Sequence, residues 1–129
     1  MAHKVYDTPL LDKLGVRPAH KVVVLGVRDA GFLAQLRARA PDVGTRMRRG
    51  ADVVFLAVEA PRDLARLAGI EAALARDGAL WVVRPRGHAE LGDEVLIAAA
   101  KRAGLVDNKI CRFSDTHTAM RLVVPLARR

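Results

Sequence analysis

Three continuous apolar runs constrain this chain more than any other feature: Lys21-Val-Val-Val-Leu-Gly26, Asp52-Val-Val-Phe-Leu-Ala-Val58 and Ala79-Leu-Trp-Val-Val83. Each is strand-sized, rich in β-branched residues and free of the polar alternation expected where one face is wet. Strands of that kind have to be covered on both faces. Helical patterns fill the gaps between them. Asp29 is placed to cap a helix in which Phe32, Leu33, Leu36 and Ala40 recur along one face, until Pro41 stops it. Pro61 opens a second helix with Leu64, Leu67, Ile70 and Leu74 on one side, and Asp77-Gly78 is the expected end. A third helix is predicted over Glu90 to Ala103, with Leu91, Val95 and Ala98 inward and Gly104 as its stop.

Strand and helix thus alternate, and right-handed crossovers turn such a chain into a parallel sheet flanked by helices. Val43 to Met47 reads as a short, weak extra strand. Lys109 to Phe113 and Thr118 to Val124 are separated only by Ser114-Asp115-Thr116-His117, too short for a crossover, so these two segments are expected to pair antiparallel. Pro125 suits an edge strand. The predicted fold is therefore α/β and Rossmann-like: a mostly parallel twisted sheet with helices on both faces and a C-terminal antiparallel hairpin. Residues 1–129 read as one domain without an internal repeat or linker, and 1–20 as an N-terminal helical extension in which Thr8 caps a short helix, Pro9 fits its first turn and Gly15 ends it.

Length and composition agree. A chain of 129 residues buries about two-thirds of its unfolded surface, enough for one core. No segment is long and apolar enough to span a bilayer, and the start lacks the apolar run of a secretory signal, so the expected location is cytoplasmic. The single cysteine, Cys111, excludes an internal disulfide and a thiolate metal cage, and it is expected to pack in a strand as a small apolar residue. The formal charge of +8 opens the question of a polyanionic partner. Arg and Ala are both abundant, as a GC-rich coding bias also produces. One Trp, one Tyr and three Phe leave few stacking platforms, which weighs against nucleic acid.

A parallel α/β sheet closed by an antiparallel hairpin is similar to the fold of S-adenosylmethionine-dependent methyltransferases, here shortened. More specifically, Tyr6, Thr8-Pro9-Leu10, Lys13-Leu14-Gly15 and the segment Gly104-Leu-Val-Asp-Asn-Lys109 resemble an uncharacterised bacterial family filed as a domain of unknown function. That family ends in an acidic-Thr-Trp-Ser-x-x-Arg pattern. Here the corresponding stretch is Asp115-Thr116-His117-Thr118-Ala119-Met120-Arg121, so His117 stands in place of Trp. The resemblance spans nearly the whole chain and implies a fold but no activity.

Tests for chemistry are mostly negative. The turn after the first strand reads Leu25-Gly26-Val27-Arg28-Asp29-Ala30-Gly31, which fails both as a GxGxxG element and as a phosphate-binding P-loop, since Phe32-Leu33 follow where Lys-Ser/Thr would stand. Where a ribose-binding acid would end the second strand the chain has Arg46, Arg48 and Arg49, which suit a phosphate or an exposed basic loop. In open α/β sheets ligands lie beyond the C-terminal strand ends. The candidate ligand-binding residues are accordingly Gly26, Arg28, Asp29, Glu59, Arg84, Arg86 and His88. Glu59 equally suits a cap for the helix behind Pro61. His20 and His117 are expected outside that rim. No nucleophile has an activating sequence context, and no His/Asp/Glu pair has metal-ligand spacing on a helix. No catalytic residue or cofactor is assigned.

The leading expectation is a non-catalytic domain that binds a small anionic ligand or a protein partner at the strand ends. An atypical S-adenosylmethionine-dependent methyltransferase comes second and a basic nucleic-acid-binding domain third. An apolar edge strand in the final hairpin leaves a homodimer open.

Overall fold

The computed structural model describes residues 9–129, so the capping role expected of Thr8 and the Tyr6 signature lie outside the described residues. Each apolar run forms a strand. β1 (Val22–Leu25) pairs parallel with β3 (Ala51–Ala57), and β3 pairs parallel with β4 (Leu74–Pro85). The weak segment forms a minimal β2 (Val43–Gly44), parallel to β1. β5 (Val106–Arg112) and β6 (His117–Val123) form the hairpin, and β6 pairs antiparallel with β4. Among the described residues this makes one six-stranded sheet in the order β2-β1-β3-β4-β6-β5.

Period-2 geometry divides the core between two faces. Val23, Leu25, Val54, Leu56, Leu80, Val82, Met120 and Leu122 pack on one side, against α3 (Leu67–Ala73) and α4 (Asp93–Arg102). Val22, Val24, Val53, Phe55, Trp81, Val83 and Ala119 pack on the other, under α1 (Leu10–Lys13) and α2 (Ala30–Arg39). Trp81 is fully buried there, and its Nε1–H donates to Leu14 O at 3.0 Å, tying the N-terminal segment to the sheet. Phe32 of α2 meets Phe55 and Phe113 edge-on, with ring centroids 5.2 and 4.8 Å apart.

Four expectations are corrected. The second helix does not run to Asp77-Gly78. Pro61–Arg66 is a 3-10 segment, α3 stops at Ala73, and Leu74 already pairs with Ala51. The sheet register then jumps to Val53 opposite Ala79, so the residues between bulge out of β4. Gly78 lets this bulge close against β3: a Cβ there would lie 2.8 Å from Asp52 O and 3.1 Å from Ala51 O. In the third helix, Gly92 adopts an extended backbone after a 3-10 turn (Ala89–Leu91), which resets the helical phase. Leu96, Ala99 and Ala100 therefore point inward, Val95 is half-buried and Ala98 is exposed.

The hairpin accounts for the other two. Pro125 lies beyond the end of β6, which is an interior strand, and the outer strand is β5. The expected apolar edge is thus the covered member of the pair. β5 presents Asp107, Asn108, Lys109 and Arg112, with a register break between Asp107 and Lys109, although Val106 and Ile110 are exposed on it. Charge and irregularity on an outer strand oppose edge-to-edge pairing.

Candidate functional site

The chain passes from β1 outward to β2, then crosses to β3 on the other side of β1, so the strand order reverses between β1 and β3. The C-terminal ends of these two strands diverge into a cleft, the expected ligand position in such a sheet. A cavity of about 650 Å³ lies there, within the usual range for small-ligand sites. Its walls are the turn from Leu25 to Asp29, the segment after β3 with Glu59, Asp63 and Arg66, the end of β4 at Val83, and Phe113, Ser114, Thr116 and His117 of the hairpin.

Local chemistry fixes what each carboxylate does. Asp29 caps α2, its Oδ1 accepting from Phe32 N–H at 3.0 Å. Asp63 Oδ2 accepts from Glu59 N–H at 2.9 Å and Ala60 N–H at 3.2 Å, closing the turn after β3. That cap was anticipated from Glu59. With Asp63 in the role, the Glu59 carboxylate is free to reach across the cleft, where Oε2 lies 3.2 Å from His117 Nε2. On the imidazole's other edge, Nδ1 is 2.8 Å from Thr116 Oγ1. Arg28 and Arg66 line the same cavity, and neither makes a side-chain hydrogen bond or ion pair among the described residues.

The seven candidate residues separate into two groups. Gly26, Arg28, Asp29 and Glu59 meet in the cleft. Arg84, Arg86 and His88 line a second, smaller hollow of about 280 Å³. Alternation along β4 is the reason: Val83 faces the cleft, so Arg84 faces the opposite side of the sheet. There Arg84 is buried, donating to Leu91 O at 2.8 Å and pairing with Asp93 at the start of α4. Arg86 holds the hairpin tip. Its Nη1 donates to Ser114 O at 3.0 Å and His117 O at 3.2 Å, its Nη2 donates to Asp115 O, and its backbone N–H donates to Thr116 O at 2.9 Å. His88 is exposed, with Nδ1 3.6 Å from Glu90.

Sequence reasoning left His117 outside the rim, and the structure places it inside. Because β6 is antiparallel to β4, its first residue sits at the C-terminal end of that strand, with His117 opposite Pro85. The sequence shows the hairpin but not that β6 pairs with β4, so no local signal places His117 at this rim. Arg46 and Arg49 are exposed, and Arg48 Nη2 pairs with Asp42 at 2.6 Å. His20 belongs to a hollow at the opposite end of the sheet.

The architecture is a methyltransferase-like Rossmann fold, and solved methyltransferases share it. A putative methyltransferase from Thermoplasma acidophilum superimposes with a TM-score of 0.69 at 9% identity, over 93% of this chain and 76% of that one. Mitomycin 7-O-methyltransferase MmcR gives 0.64 at 13% identity, over 83% of this chain and 49% of that one. CalO1, a methyltransferase of calicheamicin biosynthesis solved with S-adenosylhomocysteine bound, gives 0.65 at 17%, over 90% of this chain and 52% of that one. This chain thus spans about half the length of the latter two. No family model and no curated protein matches it.

The residues present do not fit the methyl donor that such a fold implies. Close approach of a nucleoside ligand calls for glycines with open space after β1. Here Val27 and Arg28 carry side chains where such a turn has none. Asp29 already occupies the N-terminus of α2. The residues following β2 are Thr45 and Arg46, with no acid for a ribose diol.

Proposed function

We propose that this domain binds a small anionic ligand in the cleft between β1 and β3, using a methyltransferase-like scaffold without the methyl donor. One observation carries the reading: Arg28 and Arg66 line the same cavity with no partner among the described residues, while its three carboxylates are each engaged, Asp29 and Asp63 with backbone N–H groups and Glu59 with His117. Two such guanidinium groups beside an apolar wall of Leu25, Val83 and Phe113 suit a compact carboxylate or phosphate, which guanidinium groups grip through paired hydrogen bonds. A ligand at a hundred times its Kd stabilises the folded state by about 2.7 kcal/mol, which a melting curve resolves. Phosphate, succinate, nucleotides, S-adenosylmethionine and S-adenosylhomocysteine should therefore be compared by thermal shift. The expected result is stabilisation by a small acid, lost in Arg28→Gln and Arg66→Gln, and no response to the two sulfur nucleosides.

The second reading is an atypical methyltransferase, favoured by the structural likeness alone. Saturable stabilisation by S-adenosylhomocysteine that survives both arginine substitutions would put it first.

A further inference from the structure

Glu59, His117 and Thr116 form a chain whose polarity is set by chemistry. An ionised carboxylate only accepts hydrogen bonds, so the imidazole nitrogen facing Glu59 Oε2 at 3.2 Å carries the proton. In the neutral ring this is the Nε2–H tautomer, which leaves the Nδ1 lone pair 2.8 Å from Thr116 Oγ1. The Thr116 hydroxyl therefore donates to Nδ1. A hydroxyl donating to an imidazole that is oriented by a carboxylate is the arrangement that activates an oxygen nucleophile. Thr116 is exposed at the cleft, His117 is half-buried, and Arg86 holds the carbonyls of both, donating to His117 O through Nη1 and to Thr116 O through its backbone N–H.

The geometry points to an acyl-transfer site, with Thr116 as nucleophile, His117 as base and Glu59 as the group that orients it. Its substrates are small esters or thioesters bearing a second, acidic group, a substrate class that rests on the anion-binding reading of Arg28 and Arg66. As Thr116 Oγ forms a bond to the acyl carbon, its proton passes to His117 Nδ1. The ester C–O or thioester C–S bond breaks, and the departing oxygen or sulfur takes that proton. Water then attacks the acyl-threonine, gives a proton to Nδ1, and the acid leaves as Thr116 Oγ recovers it. The sum is ester plus water to acid plus alcohol or thiol.

The test uses the full chain with p-nitrophenyl hydrogen succinate and p-nitrophenyl acetate, following p-nitrophenolate release and the intact mass of the quenched protein. The succinate ester should be cleaved about 10-fold faster than the acetate ester after correction for buffer hydrolysis, with one succinyl group mapped to Thr116. Thr116→Val should abolish both signals, Thr116→Ser should retain them, and Glu59→Gln should slow turnover by about 10-fold or more. Undiminished cleavage by a folded Thr116→Val protein overturns the relay. Absence of cleavage despite stabilisation by succinate also overturns it, and leaves the binding reading standing. Equal, Thr116-dependent cleavage of both esters, with no stabilisation by succinate, overturns the acidic substrate class and the binding reading together.

Discussion

Asp29, Glu59 and Asp63 carry the same functional group at the same end of the sheet, yet neighbouring donors give them different tasks. Two satisfy backbone N–H groups and one faces an imidazole. Cys111 shows the same dependence on surroundings. Burial in β5 pushes its thiol above the ordinary value of 9.0, and Lys109 and Lys13 pull it part of the way back. Less thiolate exists at a given pH, so iodoacetamide should alkylate Cys111 in the native protein at pH 8 several-fold more slowly than free cysteine. The folded state favours the neutral thiol. Its contribution to stability is accordingly full below the unfolded thiol's value and is lost as pH rises through the elevated folded one. Urea midpoints measured across the alkaline range should fall less in Cys111→Ala than in the parent. At this scale the sequence identified which groups were polar. It did not identify their partners, because Glu59 and His117 are fifty-eight positions apart and meet only when the hairpin folds against β4.

Elements were legible wherever their signals were local. α2 has its cap, inward face and stop within a dozen residues, and Asp29, Phe32, Leu36 and Pro41 all behave as their chemistry demands. Asp29→Ala should cost about 1 kcal/mol, the usual value of an N-cap, read as a lower urea midpoint with an unchanged m-value. A destabilisation near zero would mean that packing of Phe32 and Leu36 alone holds the turn after β1. α4 was misread on its inward face because Gly92 changes the phase, and a glycine's backbone angles cannot be read from its identity. The end of α3 was missed for a related reason. The bulge containing Gly78 exists because β3 lies against it, a contact absent from the local sequence.

The described residues are organised around one sheet shared by two cores, and the chain's single Trp reports on one of them. Trp81 sits under the N-terminal segment, whereas α3 and α4 cover the opposite face. Since β1, β3 and β4 contribute side chains to both cores, neither can dissolve alone, and the two should unfold together. Trp fluorescence and far-UV circular dichroism should therefore give superimposable urea transitions. A fluorescence change preceding the loss of helix signal would show that the α1 and α2 face opens independently.

The sequence by itself determined that the three apolar runs are buried parallel strands, that helices cover both faces, and that a hairpin ends the sheet. Continuous β-branched burial favours strands covered on both faces, and connection length favours parallel pairing across the helices and antiparallel pairing in the hairpin. Only the tertiary structure decided that Arg84 is sent to the far face by alternation along β4, that Arg86 is consumed in holding a turn, and that His117 enters the cleft. Composition and periodicity act along the chain. A site is assembled across it, by register and strand direction.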